Sequence, residues 1–173
     1  MSKQQPERID GDVHLQKKNS KEMEPIKIVI TKESVYRHIF ATSAHMTRSR
    51  EAMGIPASIG ERMLVTADEK EMLDPHITNS VNNMYCDIVR YHPGSSVEFV
   101  EDEFQFSINA PSNYPAGNGN RLKEYIKSYI ANRTLQSWYT SIKPDEASIV
   151  AVLAQNDAAT IGQLLVQRTK PTV

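Results

Sequence analysis

Cysteine is almost absent from the sequence, since Cys86 is the only one in 173 residues. A single thiol cannot form a disulfide within the chain, which excludes a small secreted domain held together by disulfides. The sequence also shows no cationic-then-apolar leader and no apolar run near roughly 18 residues. We therefore expect a chain that folds in a reducing cytosol, without a membrane partner. Cys86 lies in an apolar helical pattern with Met84, Tyr85 and Ile88, and we expect it to be buried.

An excess of charge is also lacking, because the net charge is −1. This balance argues against a general nucleic-acid binder. The charges are nevertheless segregated: residues 66–106 carry a net charge of −7, whereas residues 25–65 and 107–173 carry +3 each. Two interpretations are open. The segments form ordinary solvated faces, or they form an acidic and a basic flank through which one copy meets another head to tail.

The spacing of reactive residues does not match a catalytic or metal site. None of the five histidines has a carboxylate, histidine or cysteine at the separations that a zinc or iron site requires. No serine lies in a nucleophile elbow, and Cys86 has no activating partner in its local sequence. Residues 116–120 (AGNGN) lack the lysine and the spacing of a phosphate-binding loop. The sequence predicts no enzyme, no metal and no cofactor.

Hydrophobic periodicity predicts a mainly α fold, with about four helices in a small bundle and a short β-hairpin insertion. Residues 1–24 are polar with a few scattered apolar side chains, so we expect a disordered or extended arm that orders on a partner. Residues 25–168 are expected to form the helical domain. Residues 169–173 are expected to form a polar tail.

Local signals set the boundaries of the predicted elements. Ile26, Ile28 and Ile30 alternate with less apolar neighbours, which indicates a short strand. Thr66 to Glu69 forms a capping box at the start of a helix that ends near His92, and Pro75 lies either inside this helix or just before it. The other predictions are a helix over 31–53, a loop over 54–65, a hairpin over 97–108, a loop over 109–120, and helices over 120–141 and 144–168.

Aromatic and basic residues share the helix predicted at 120–141. Tyr125 and Tyr129 are one turn apart, and Arg121, Lys123, Lys127 and Arg133 lie on the same helix. Cations interleaved with aromatics are typical of a nucleic-acid face. The alternative is that the tyrosines pack in the core with their hydroxyls at its edge, and we favour this alternative.

The order of parts after residue 66 resembles that of the head–tail connector proteins (portal adaptors, or neck proteins) of tailed bacteriophages, of the Bacteroidetes-phage type. The pieces that carry the resemblance are Phe106 to Tyr114 (FSINAPSNY) and the helix that ends in Leu135–Tyr139 (LQSWY). Residues 35–50 resemble the first helix of that family more loosely. The match in layout covers about 140 residues, and residues 1–24 match nothing in the family.

This resemblance implies a structural virion protein that forms a ring of about twelve copies at the phage neck, assembled in the host cytoplasm. Its partners would be the portal protein, the tail or neck proteins and further copies of itself, with passive contact to DNA in the channel. The portal-docking residues would be Leu164, Leu165, Arg168 and Lys170. The contacts between subunits would be made by Glu98, Glu101, Asp102, Glu103, Arg121, Lys123 and Lys127.

Three other functions stay open at this point. The first is another ring or tail-completion protein of the virion. The second is a helical nucleic-acid-binding regulator that uses residues 121–133. The third is an enzyme of a type that no motif identifies.

Overall fold

The computed structural model describes residues 25–169, and the predicted arm at 1–24 and the tail residues 170–173 lie outside the described residues. The fold is mainly α, since 68% of the described residues are helical. The helices are α1 (Lys32–Ala52), α2 (Ala57–Met63), α3 (Lys70–Tyr91), α4 (Asn118–Thr140) and α5 (Pro144–Val166), and the strands are β1 (Ile26–Thr31), β2 (Ser96–Val100) and β3 (Glu103–Ile108).

The three strands form one antiparallel sheet in the order β1-β3-β2. Both the entry strand and the hairpin were predicted. Their pairing was not: Ile26 lies opposite Ile108, and Thr31 lies opposite Glu103. The hairpin is therefore part of a sheet with one apolar face on the core, and the core residues of that face are Ile28, Ile30, Phe104, Phe106 and Ile108.

The predicted helix starts agree with the structure. The Thr31 hydroxyl accepts a hydrogen bond from the Ser34 amide (3.2 Å) at the start of α1. The Glu69 carboxylate accepts one from the Thr66 amide (2.7 Å), which closes the predicted capping box. The box opens a short 3-10 turn (Ala67–Glu69) that leads directly into α3, and Pro75 lies inside that helix.

Two of the local predictions were wrong. The predicted loop at 54–65 contains α2, so residues 25–169 hold five α-helices rather than about four. Its glycine, Gly60, faces the Glu51 side chain, where a Cβ would lie 2.8 Å from Oε1. Cys86 is exposed rather than buried, because it falls between the buried positions Met84 and Ile88 and points away from the core.

Helix α4 lies at the centre of the fold and contacts α1, α3, α5 and β1. Its buried residues include Leu122, Ile126, Ile130 and Leu135. The fully buried Tyr139 donates a hydrogen bond from its hydroxyl to the Met63 carbonyl (3.1 Å), which ties α4 to the end of α2. Helix α4 therefore sets the positions of α1, α3, α5 and β1 relative to one another.

Helix α5 is, among the described residues, the one helix whose length and composition would let it cross a membrane. It packs against α4 and α3, and its buried residues include Val150, Ala154 and Ile161. Core helices pass the same test of composition, so this property does not identify a membrane partner.

Candidate interaction surfaces

The acidic residues predicted to make contacts between subunits lie together at the β2–β3 turn. The Lys32 amide donates a hydrogen bond to the Asp102 carbonyl (2.7 Å), which fixes the turn beside the start of α1. Glu98, Glu101 and Asp102 are exposed, and Glu103 is half-buried. Within residues 25–169, none of these four carboxylates forms an ion pair. We call this group the acidic turn.

Two of the three predicted basic residues lie at the start of α4, next to the other end of β1. A Cβ on Gly119 would lie 3.8 Å from Cγ2 of Ile26, so α4 begins beside the first residue of the strand. Arg121 and Lys123 follow in the first two turns, are exposed, and form no ion pair with any described residue. We call these two residues the basic pair. Lys127 differs, because it is half-buried and paired with Glu124.

The structure therefore keeps the acidic turn and the basic pair apart. The turn is held where β1 ends, and the pair lies where β1 begins. Six residues of strand span about 17 Å. The two groups are too far apart to neutralise each other within one chain, and each presents unpaired charge to solvent.

Strand β2 adds apolar surface next to the acidic turn. Phe99 is 46% exposed and Val100 is 42% exposed, although both lie in a strand. The Phe99 ring meets the edge of the Phe104 ring, with centroids 5.5 Å apart, so Phe99 continues the core face beyond β3. Among the described residues, β2 pairs with β3 alone. No strand of residues 25–169 lies beside its second edge.

A second apolar surface lies in a groove of about 350 Å³ between the C-terminal half of α1 and the start of α5. Its walls include Met46, Met53, Ile149 and Leu153, and Met53 is 73% exposed. Ile149 and Leu153 belong to the apolar residues of the helix predicted at 144–168, but they are 42% and 43% exposed. Helix α5 is apolar on more than one face, so its period alone did not show which face is covered.

The four predicted portal-docking residues have different environments. Leu164 and Leu165 are buried at 1% and 0% exposure, so their side chains contact this chain's own core. Arg168 is exposed, and its Nη1 donates to the carbonyls of Leu165 (2.9 Å) and Gln167 (2.7 Å) at the end of α5. Lys170 lies outside the described residues. Of the described three, Arg168 alone offers its side chain to a partner.

The aromatic residues of α4 do not form a nucleic-acid face. Tyr129 is 6% exposed, Tyr125 is half-buried against the core, and burial raises the pKa of the Tyr129 hydroxyl. Bases cannot stack on rings that are covered by the protein. The favoured prediction, that these tyrosines pack in the core, is confirmed.

Two polar clusters were not visible in the sequence. In the first, the Tyr36 hydroxyl donates a hydrogen bond to Asp74. The pKa of Tyr36 is raised, mainly by burial and secondly by this hydrogen bond. Lys32 (3.5 Å from Asp74) and Lys70 (4.9 Å from the centre of the Tyr36 ring) complete it. These residues come from α1 and α3 and lie more than thirty positions apart in the sequence. Spacing within one helix therefore could not predict their contact.

In the second cluster, the Asp157 carboxylate on α5 accepts hydrogen bonds from Ser128 Oγ (2.8 Å) and Asn132 Nδ2 (2.9 Å) on α4. His38 on α1 lies near this group. The pKa of His38 is lowered, mainly by burial and secondly by the positive charge of Lys127. Ser128 thus donates its hydroxyl hydrogen to a carboxylate, and its oxygen accepts a hydrogen bond from Asn132 Nδ2 (3.3 Å). Among residues 25–169, no three histidine, cysteine or acidic side chains converge as metal ligands.

No family model, no curated protein and no solved structure matches the chain.

Proposed function

We propose that the chain is a structural subunit that assembles head to tail with copies of itself, in a ring of the head–tail connector type at a phage neck. The observation that carries the proposal is the separation of the acidic turn from the basic pair. All members of the two groups except the half-buried Glu103 are exposed. None of them forms an ion pair among the described residues.

A head-to-tail contact joins two different surfaces of the same chain. Such contacts close into a ring when the rotation between neighbours divides a full turn, and otherwise they continue as a filament. A chain with opposite unpaired charges at two sites has the asymmetry that this contact needs. Complementary charges also set the orientation of the encounter and reject the reverse arrangement.

Charge alone would not hold such a ring together. An exposed ion pair contributes about 0 to 1 kcal/mol. Burial of apolar surface contributes about 25 cal/mol per Å², and the surface for it lies beside the acidic turn at Phe99 and Val100. The α1–α5 groove offers a further apolar surface to another neighbour.

The resemblance supports the portal protein as the partner at the end of α5. Since Leu164 and Leu165 are in the core, we assign portal docking to Arg168 and Lys170 alone. A virion location, and passive contact with DNA in the ring's channel, belong to the same proposal.

Sedimentation velocity and negative-stain imaging of the full chain test the proposal, alone and with the portal protein encoded by the same phage genome. We expect closed rings either from the chain alone or, if not, once the portal protein is added. Monomers under both conditions would contradict the proposal.

A further inference from the structure

The free edge of β2 has the properties of a strand-binding site. Four of its five residues are exposed, and its backbone groups on the side away from β3 pair with no strand among the described residues. An open edge of this kind is a template for a strand from another chain. The exposed Phe99 ring would be covered by an apolar side chain on such a strand.

The charge of this edge restricts the occupant. Glu98 lies on the strand, and Glu101 and Asp102 follow directly at its end. If β2 paired with β2 of a second copy, these carboxylates would face like charges, which destabilises a strand pair. The edge instead favours a strand with cations at its ends.

The chain contains one such segment outside the described residues. Residues 8–18 read RIDGDVHLQKK. The apolar or small residues Ile9, Gly11, Val13 and Leu15 occupy alternate positions, and all the positions between them are polar. This is the period of a strand with one apolar face. Arg8 precedes it, and Lys17 and Lys18 follow it, so three cations at its ends outnumber the two carboxylates within it, Asp10 and Asp12.

We propose that β2 of one copy binds residues 9–15 of a second copy as a fourth strand, which rests on the proposed head-to-tail assembly. Residues 1–24 join the domain at Pro25, beside the start of α4 and the basic pair. In a head-to-tail contact, this is the end that meets the neighbour's acidic turn. The nine residues from 16 to 24 reach about 30 Å when extended, which is enough to cross such a contact.

Hydrogen exchange on the full chain tests which face of the segment binds. In Val13→Ser/Leu15→Ser, we expect faster exchange of the β2 amides that point away from β3, and assembly weakened by at least about tenfold. The matched control is His14→Ser/Gln16→Ser, which places two serines on the polar side of the same pattern. It should behave as the unaltered chain. Equal behaviour of the two variants overturns the proposal.

A zero-length carbodiimide cross-linker, applied to a mixture of ¹⁵N-labelled and unlabelled full chains, tests whether binding occurs between copies. We expect mixed-isotope cross-links from Lys17 or Lys18 to Glu98, Glu101 or Asp102. Cross-links within single chains only, or none to these carboxylates, overturn the proposal. Chains that still form rings in that case leave the proposed function standing, whereas chains that stay monomeric with portal protein present contradict both.

Discussion

Glu146 in the first turn of α5 forms an ion pair with Nε of Arg50 near the end of α1. The Glu146 side chain is 3% exposed, and the Arg50 side chain is 29% exposed. The pair forms part of the α1–α5 groove and connects two helices that are far apart in sequence. A carboxylate buried to this degree depends on its cation, since an unpaired buried charge is costly.

Replacement of Arg50 by methionine should therefore lower the free energy of unfolding by about 3 kcal/mol, at the lower end of the range for a broken buried pair because Arg50 keeps some contact with water. The double variant Arg50→Met/Glu146→Leu should recover most of this loss, since it also removes the Glu146 carboxylate that Arg50→Met leaves unpaired. Urea unfolding followed by circular dichroism measures both. Lys143→Ala, which breaks an exposed pair with Asp145, should cost less than about 1 kcal/mol. A double variant no more stable than Arg50→Met would contradict this account.

The adjacent residues Leu165 and Val166 make a matched test of the core assignment at the end of α5. Leu165 is fully buried, whereas Val166 is 52% exposed. Leu165→Ala should lower the free energy of unfolding by about 2 to 5 kcal/mol, and Val166→Ala should change it by less than about 0.5 kcal/mol. Chemical denaturation distinguishes them. Similar values for the two variants would show that Leu165 is free to contact a partner.

Acidification should destabilise the chain through His38. Its pKa is lowered in the folded state, so the unfolded chain binds the proton more readily. The stability contributed by neutral His38 is present above the unfolded pKa of about 6.5, and it is lost as the pH falls from there through the folded pKa. The charge of Lys127 disfavours protonation of His38, whereas the charges of Asp157 and Glu124 favour it.

His38→Gln should remove part of the loss in thermal stability seen as the pH falls below about 6.5. His45→Gln is the control, because His45 is an exposed histidine on the same helix. Melting temperatures measured across this range would show the difference. Parallel curves for His38→Gln and the unaltered chain would exclude the proposed linkage.

Features set by neighbouring residues could be predicted from the sequence. The Thr66–Glu69 capping box depends on contacts within a single turn of the chain, and it is confirmed. The pairing of β1 with β3 joins segments about 80 residues apart, so no local pattern encodes it. The hairpin was predicted for that reason as an insertion rather than as part of a sheet.

The candidate surfaces were predictable to a lesser degree. The charged residues could be listed, but their exposure and their places at the two ends of β1 depend on the tertiary fold. Lys127, for example, was grouped with Arg121 and Lys123, yet it pairs with Glu124. The exposure of Ile149 and Leu153 could not be predicted, because an apolar residue on a helix carries no signal of which neighbour covers it.

The head-to-tail contact is tested most directly by mixing two charge-reversed chains. Glu98→Lys/Glu101→Lys/Asp102→Lys makes the acidic turn basic, because only Glu103 of the group then stays negative, and Arg121→Glu/Lys123→Glu makes the basic pair acidic. In each variant alone, every contact between copies would join like charges, so we expect monomers by sedimentation velocity. In an equimolar mixture, alternating copies restore opposite charges at every contact, and we expect rings. Rings from either variant alone, or monomers in the mixture under conditions in which the unaltered chain assembles, would contradict the account.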